Sequence, residues 1–224
     1  DPLSEKYYGT SPYAYCNGDP INFVDPDGRR PIYNAHGELV GVTESGLQGD
    51  PVFITDYTEY HTMTDDQAEA MNEGADVLDE DAFAIFVKSY NTLRERPDWD
   101  GYITLSEANE WYRNGNGADL FADLSKIDFS KYHADQIKEP GTKETIPLKQ
   151  YSKKLNDKLV YGSITIRWYL CNRAREYADK YDFDIHPSFS PKEILRNIET
   201  LLGKGKAGMG IPYYIFFYGY KQIQ

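Results

Sequence analysis

The chain has 224 residues, which is long enough for one large or two small domains with a buried core. Its formal net charge is −12, and bulk charge alone disfavours a nucleic-acid binder. The acidic side chains are concentrated in residues 50–110, which carry 16 Asp and Glu against 3 Lys and Arg. Residues 126–224 carry 17 basic and 11 acidic side chains. Nucleic acid is therefore not excluded as a ligand of this basic C-terminal region.

Cysteine usage argues against a protein built on disulfides or on a cysteine metal cluster, and hydropathy argues against a membrane-spanning protein. Cys16 and Cys171 have no neighbouring Cys or His at ligand spacing, so they predict neither a disulfide framework nor a metal cluster. No stretch approaches about 18 uninterrupted apolar residues, so we expect no membrane span. The sequence begins at Asp1, without methionine, and we expect a fragment of a longer protein whose export signal lies elsewhere.

Turn-forming residues punctuate residues 1–28, with Tyr and Phe between them. The turns include Tyr8-Gly9, Ser11-Pro12, Asn17-Gly18-Asp19-Pro20 and Asp25-Pro26-Asp27-Gly28. Because Pro presets φ and because Gly or Asn accepts a positive φ, this pattern predicts short strands joined by tight turns. A segment of this length cannot bury a core alone.

The same segment closely resembles the end of the RHS repeat-associated core domain. The resemblance rests on Asp1-Pro2-Leu3-Ser4-Glu5-Lys6-Tyr7-Tyr8, Ser11-Pro12-Tyr13-Ala14-Tyr15-Cys16-Asn17 and Pro20-Ile21-Asn22-Phe23-Val24-Asp25-Pro26-Asp27-Gly28. It implies the end of a large β shell, with cleavage near Gly28 and a variable toxin or effector region after it. It also implies a secreted or cell-surface location within a larger protein. The implied partners are the upstream RHS shell of the same polypeptide and a cognate immunity protein.

A connector and an acidic helical region are predicted next, at residues 29–49 and 50–125. In the connector, two short apolar runs flank a turn that contains Gly37, which predicts a β-hairpin. Thr64 and Gln67 have the spacing of a capping box and predict a short helix. A second helix is predicted from Asp79 to Arg94, with one buried stripe. The stripe consists of Phe83, Phe86, Val87, Tyr90 and Leu93.

The stretch that follows resembles the twelve-residue loop of an EF-hand. On that loop the candidate metal ligands at positions 3, 5, 7, 9 and 12 are Asp98, Asp100, the Tyr102 carbonyl, Thr104 and Glu107. These oxygens suit calcium or another divalent cation, which is the expected cofactor, with Gly101 at the sharp turn. Position 1 is Arg96 where an EF-hand normally has Asp. The alternative is a helix-turn-helix in which Thr104 and Glu107 form a capping box and the acidic side chains are solvated.

A basic α+β effector region is predicted for residues 126–224. Residues 131–158 contain seven Lys and little periodicity, which predicts a long surface loop with one short strand and a solvated lysine face. Strands are predicted at 159–170 and at 211–219, the second one either buried on both faces or filling a barrel or half-barrel. Between them, a helix is predicted from Ser190 to Leu202, followed by a flexible Gly-rich turn at 203–210.

The candidate catalytic residues precede and enter that helix. They are Asp179, Asp182, His186 and Arg196. On an extended chain, Asp182 and His186 share a face, where they could hold a divalent metal or perform general acid–base chemistry, and Arg196 could neutralise a phosphate. The alternative is a solvent-facing strand. The Asp179-x-Tyr181-Asp182 motif with His186 is also similar to a segment of the colicin M family. That resemblance implies a metal-dependent phosphoesterase acting on a lipid-linked cell-wall precursor.

The predicted fold class is α+β. It combines a short β-rich N-terminal segment, a helical acidic middle and a C-terminal mixed strand-helix-strand unit. The predicted function is that of the toxin or effector region of an RHS-family secreted protein. The residues leave open whether that region is an enzyme or a non-enzymatic binding or structural module.

Overall fold

A computed structural model describes residues 30–56, 62–169, 173–175, 179–182 and 203–223. These residues form both helices and strands, which confirms the predicted α+β class. The chain divides into two compact units, Asp1–Glu95 and Arg96–Gln224. The boundary between the units falls within the predicted EF-hand-like helix-loop-helix. The helix before the loop belongs to the first unit, and the loop with the following helix belongs to the second. The segment that resembles the RHS core lies outside the described residues.

The described part of the first unit is built on a four-stranded sheet. Strand β1 (Pro31–Tyr33) pairs antiparallel with β2 (Leu39–Thr43). Strands β3 (Val52–Phe53) and β4 (Thr62–Met63) add parallel partners to β1 and β2, giving the order β3-β1-β2-β4. The predicted hairpin is therefore confirmed. Gly37 has a φ of 72° in its turn, a conformation that glycine adopts without the steric cost of a Cβ.

Two helices of the first unit begin directly after residues that the sequence predicts to be helix caps. Helix α1 (Asp65–Met71) opens with a capping box in which Thr64 and Gln67 bond each other's backbone amides, as predicted. Helix α2 (Glu80–Asn91) begins after Asp79, whose side chain accepts a hydrogen bond from the amide of Ala82. Short 3-10 segments lie at Ala75–Val77 and Leu93–Glu95.

The predicted buried stripe of α2 is wrong in part. Phe86 is buried and packs edge-on against Tyr33 and Phe53, with ring centroids 4.9 Å away in both pairs. Phe83 and Val87 are 47% and 36% exposed. The strands beneath the helix are only two to five residues long, so they cover a narrower part of its surface than the periodicity predicts.

The second unit contains two sheets in its described part. In the first sheet, β10 (Tyr213–Tyr218) lies between β5 (Leu120–Asp123), which is parallel to it, and β9 (Asp179–Tyr181), which is antiparallel. The predicted C-terminal strand is confirmed. The prediction that this strand is buried on both faces is wrong, because Tyr214 is 47% exposed while the residues on either side of it are buried.

The second sheet is wholly antiparallel in its described residues. Its strands are β6 (Lys143–Pro147), β7 (Ser163–Tyr169), β8 (Arg173–Arg175) and β11 (Lys221–Gln222), in the order β11-β8-β7-β6. The sheet places the C-terminal strand β11 beside a strand that lies nearly fifty residues earlier in the chain.

Helix α3 (Leu105–Asn114) follows the EF-hand-like loop, and α4 (Leu148–Tyr151) and α5 (Leu155–Val160) lie between β6 and β7. The predicted long loop is therefore wrong in its second half, where the buried side chains of Leu148 and Val160 anchor the two helices. For the same reason, the predicted strand at 159–170 begins only at Ser163.

Three shorter segments complete the described chain. Residues 124–126 and 134–136 form 3-10 segments. Residues 203–207 are helical and bury Ala207 completely, so the flexible turn predicted there is wrong for these residues. The helix predicted at 190–202 lies outside the described residues.

One hydrophobic core serves both sheets of the second unit. Trp168 from β7, Leu120 from β5 and Phe217 from β10 are all fully buried in it. Phe129 and Ile223 are also buried there, and they fix the loop after β5 and the residues after β11. The core therefore holds two segments side by side that are about ninety residues apart in sequence.

Candidate functional site

Asp98 and Arg96 form an ion pair at the start of the EF-hand-like loop. The carboxylate of Asp98 accepts hydrogen bonds from Arg96 Nε at 2.9 Å, from Arg96 Nη2 at 2.8 Å and from the amide of Phe121 at 2.8 Å. Asp98 is fully buried. The guanidinium also donates to the carbonyl of Asp119 and lies 5.1 Å from the ring centroid of Trp111. The positive charge opposite Asp98 is thus supplied by the chain itself.

The turn of the loop has the predicted sharp form. Gly101 has a φ of 77°, and its amide donates to the carbonyl of Asp98 at 2.8 Å. The side chain of Asp100 accepts a hydrogen bond from the amide of Tyr102 at 2.8 Å. A Cβ at Gly101 would overlap the hydroxyl of Tyr218, so the close approach of these two groups requires glycine.

Thr104 and Glu107 form the capping box of helix α3. Glu107 Oε2 accepts from the amide and the hydroxyl of Thr104 at 2.8 and 2.7 Å, and Thr104 Oγ1 accepts from the amide of Glu107 at 3.3 Å. This confirms the capping box of the helix-turn-helix alternative. The accompanying expectation of solvated acidic side chains is wrong for the fully buried Asp98.

The predicted calcium ligands therefore lie on one loop, but their side-chain oxygens hydrogen bond with donors of the chain. Asp98 bonds Arg96, and Glu107 bonds Thr104. Within the described ranges, no group of three or more His, Cys, Asp or Glu side chains is arranged to hold a metal ion. A calcium ion would have to displace these hydrogen bonds, and thermal unfolding with and without calcium tests whether it does so.

A buried polar network lies beneath the loop. The hydroxyl of Tyr102 donates to Asp157 at 2.7 Å and accepts from Asn156 at 3.1 Å. Asp157 is fully buried and also accepts from the amide of Asp128 at 2.8 Å. Burial, together with the bond to Asp157, raises the pKa of Tyr102 to about 12. The phenol therefore stays a proton donor at neutral pH, and it ties the loop to helix α5.

The candidate catalytic residues are described only in part. Asp179 is the first residue of β9, and Asp182 follows that strand. The carboxylate of Asp182 lies 3.1 Å from the ammonium of Lys180. His186 and Arg196 lie outside the described residues. The grouping of the four residues thus stays a prediction.

A cavity of about 320 Å³ opens elsewhere in the second unit, between the loop after β5 and the residues of β11. Its lining includes Asp128, Ser130, Tyr132, His133, Lys221 and Ile223. Sequence reasoning missed this cavity because its two walls are far apart in the chain and share no motif. The lysine richness of residues 131–158 was no signal for it, because the lysine that lines the cavity is Lys221.

Asp128 lines the cavity with a carboxylate whose oxygens are occupied. It accepts hydrogen bonds from the amides of Ser130, Lys153 and Lys154, and from the hydroxyl of Ser152. Burial raises the pKa of Asp128, but the bonds from Lys153, Ser130 and Ser152 outweigh it and hold the pKa well below its usual range. Asp128 is therefore ionised, and its charge stabilises the turn around residue 153.

Two lysine ammonium groups bond consecutive carbonyls of the 3-10 segment at residues 124–126, and one of the two lysines, Lys221, lines the cavity. Lys221 Nζ donates to the carbonyl of Ser125 at 2.7 Å, and Lys154 Nζ donates to the next carbonyl, that of Lys126, at 3.2 Å. In the part of the chain that the structure describes, neither ammonium forms a salt bridge. Burial lowers the pKa of Lys221; attraction to Asp128 opposes this effect and repulsion by Lys154 adds to it.

No protein-family model matches this chain, and no curated protein sequence matches it. Among the helices that the structure describes, none is both long enough and apolar enough to cross a membrane. Function is therefore inferred from the motifs of the sequence and from the geometry of the second unit.

Proposed function

We propose that Arg96–Gln224 is the toxin or effector unit of an RHS-family secreted protein. The observation that carries this proposal is that this unit has its own core, separate from those of the first unit. A unit with its own core can serve as an exchangeable module. Such a module is what the resemblance of residues 1–28 to the end of an RHS core implies farther along the chain.

The distribution of charge between the units supports the same proposal. Residues 1–95 carry 5 Lys and Arg against 19 Asp and Glu, whereas residues 96–224 carry 19 against 17. The second unit therefore lacks the strong negative field that would repel an anionic target or an acidic immunity protein. This feature supports a phosphate-bearing target and a cognate immunity partner.

If the unit is an enzyme, its catalytic set is Asp179, Asp182, His186 and Arg196. The two aspartates lie on and just after β9, which is an edge strand of its sheet in the described residues. An edge leaves one side of a strand open to a substrate. The side chain of Asp182 is 25% exposed beside Lys180, so it is within reach of solvent.

Growth of a bacterium that expresses the full chain under an inducible promoter tests the proposal. We expect growth inhibition when the chain is directed to the cytoplasm or to the periplasm. Inhibition in the periplasm alone would support a cell-wall precursor as the target. Normal growth with the folded chain in both compartments would overturn the toxin proposal.

A double variant tests the catalytic set within this experiment. Asp182→Ala with His186→Ala removes two of its four members, and we expect growth to recover. The matched control is Asp66→Ala with His36→Ala, which removes an exposed aspartate and an exposed histidine from the first unit. Equal toxicity of the two double variants would contradict catalysis by Asp182 and His186.

A further inference from the structure

We propose that the cavity beside Lys221 binds a phosphate monoester of about mononucleotide size. Among the described residues, the lining of this cavity contains neither Asp179 nor Asp182, and the inference does not rest on the toxin proposal. It rests on three observations: the bonding of the nearby carboxylates, the bonding of the nearby ammonium groups, and the size of the cavity.

The carboxylates near Lys221 already have donors within the chain. Asp128 accepts four hydrogen bonds, three of them from backbone amides. Asp157 is fully buried and accepts from Tyr102 and from the amide of Asp128. Asp123 accepts from the amide of Ser125 at 2.8 Å. Each of the three carboxylates is thus held by donors other than Lys221, and in the described structure no salt bridge joins any of them to Lys221.

The ammonium groups of Lys221 and Lys154 each have more N–H donors than the hydrogen bonds described for them. A lysine ammonium has three N–H donors, and in the described structure Lys221 and Lys154 each direct one of them to a carbonyl of the 3-10 segment. Two positive charges are thereby held at consecutive residues of one turn. A phosphate group, with its negative charge and several acceptor oxygens, satisfies such donors with short, charge-assisted bonds.

The position of Lys221 adds to this argument. Its side chain is half-buried at the cavity wall, and burial lowers its pKa. An anion bound beside it would stabilise the charged form and reverse that shift. Ligand binding and protonation of Lys221 should therefore favour each other.

The size and lining of the cavity define the rest of the ligand. Its volume of about 320 Å³ is at the lower end of the range for small-molecule sites, about 300–1,000 Å³. Ser130 and His133 add polar groups to one wall, and Tyr132 and Ile223 add apolar surface to the lining. A phosphate joined to a small organic body fits this combination better than a phosphate ion alone.

Calorimetric titration of the full chain with inorganic phosphate and with adenosine 5′-monophosphate tests the proposal. We expect both to bind, the nucleotide more tightly, because only the nucleotide also contacts the apolar lining. Lys221→Met should weaken nucleotide binding about tenfold or more, since it removes a charge-assisted hydrogen bond. Lys206→Met is the matched control, because Lys206 is exposed and does not line the cavity.

The following results of the titrations would contradict the proposal. Absence of nucleotide binding by the wild-type chain, or binding of inorganic phosphate alone, would overturn the proposed ligand. Equal affinity of Lys221→Met and Lys206→Met would overturn the proposed site. Circular dichroism verifies that each variant is folded, and Lys221→Arg, which keeps the charge, should retain most of the affinity. Because binding is measured on purified protein, its outcome is independent of any effect on growth.

Discussion

The guanidinium of Arg96 binds the carboxylate of Asp98 through two parallel hydrogen bonds, in a position where the exposed fraction of Asp98 is zero. In an EF-hand, the residues at positions 1 and 3 both approach a bound cation. Here the residue at position 1 is itself a cation and meets the residue at position 3 directly. The loop thus has an internal ion pair among the residues that would otherwise share a metal.

Replacing Arg96 by Met should strongly destabilise the second unit. The variant leaves the Asp98 carboxylate buried without its counter-charge, and breaking a buried ion pair on one side costs about 3–5 kcal/mol. The free energy of unfolding in urea measures the loss. Arg96→Lys should lose less, because it keeps the charge but not the paired geometry.

The Arg30–Glu69 ion pair of the first unit provides the matched control, because the Glu69 side chain is 65% exposed. Glu69→Gln should cost less than about 1 kcal/mol, as is usual for pairs in solvent. A loss for Arg96→Met no larger than the loss for Glu69→Gln would contradict a structural role for the buried pair.

Calcium should leave the unfolding temperature of the wild-type chain unchanged. Asp98 is bonded to Arg96, and Glu107 to Thr104, so a calcium ion would have to displace existing hydrogen bonds. Thermal unfolding in EDTA and in millimolar calcium measures the effect. Glu107→Gln should also unfold at nearly the wild-type temperature, because Gln can close a capping box. A clear calcium-dependent rise that Glu107→Gln abolishes would instead support the EF-hand prediction.

Two glycines with a positive φ should resist a methyl group for different reasons. Gly37 and Gly74 have φ values of 72° and 80°. A Cβ at Gly37 would overlap the carbonyl of Ala82, whereas a Cβ at Gly74 meets no atom within 4 Å. Gly74→Ala should cost about 1–3 kcal/mol, because its φ of 80° and ψ of 165° lie in a region that almost only glycine adopts. Gly37→Ala should cost about 1–3 kcal/mol for the overlap with Ala82, in addition to the cost of its positive φ. A loss in urea unfolding below about 1 kcal/mol for Gly37→Ala would show that α2 shifts away from the turn at little cost.

The stability that Asp128 contributes should depend on pH in the acidic range. Its pKa is depressed in the folded state, so the contribution is fully present above the unfolded pKa of about 4. The contribution is lost as the pH falls from there toward the depressed value. Asp128→Asn should therefore be less stable than wild type at pH 7, with a difference that shrinks below pH 4.

Urea unfolding at several pH values measures this difference for Asp128→Asn. The exposed Asp135 provides the control, because it lies on the same loop and Asp135→Asn leaves the bonds of Asp128 intact. A difference between wild type and Asp128→Asn that stays constant down to pH 3 would contradict the assigned cause.

Much of the local structure could be predicted from the sequence. The capping boxes at Thr64 and Thr104, the hairpin around Gly37 and the sharp turn at Gly101 all depend on residues within a few positions of one another. In such cases, the hydrogen bonds that define the feature connect near neighbours in the chain. Residue type and spacing therefore contain most of the necessary information.

The cavity and its lysines could not be predicted in the same way. Lys221 reaches the loop of Asp128 only because β11 pairs with β8 and Ile223 enters the core. The buried Asp98 depends likewise on the amide of Phe121, more than twenty residues away. Such contacts arise from the tertiary arrangement of strands, about which local periodicity contains little information.

The parallel pairing of β5 with β10 has a consequence for how the second unit acquires its structure. About ninety residues separate the two strands, and every hydrogen bond between them closes that long loop. Folds dominated by such distant pairings fold slowly, because the entropy of loop closure is lost before the contacts form. During synthesis, the central strand of this sheet emerges long after its partner. The second unit should therefore reach its folded form only after Tyr218 has been released from the ribosome.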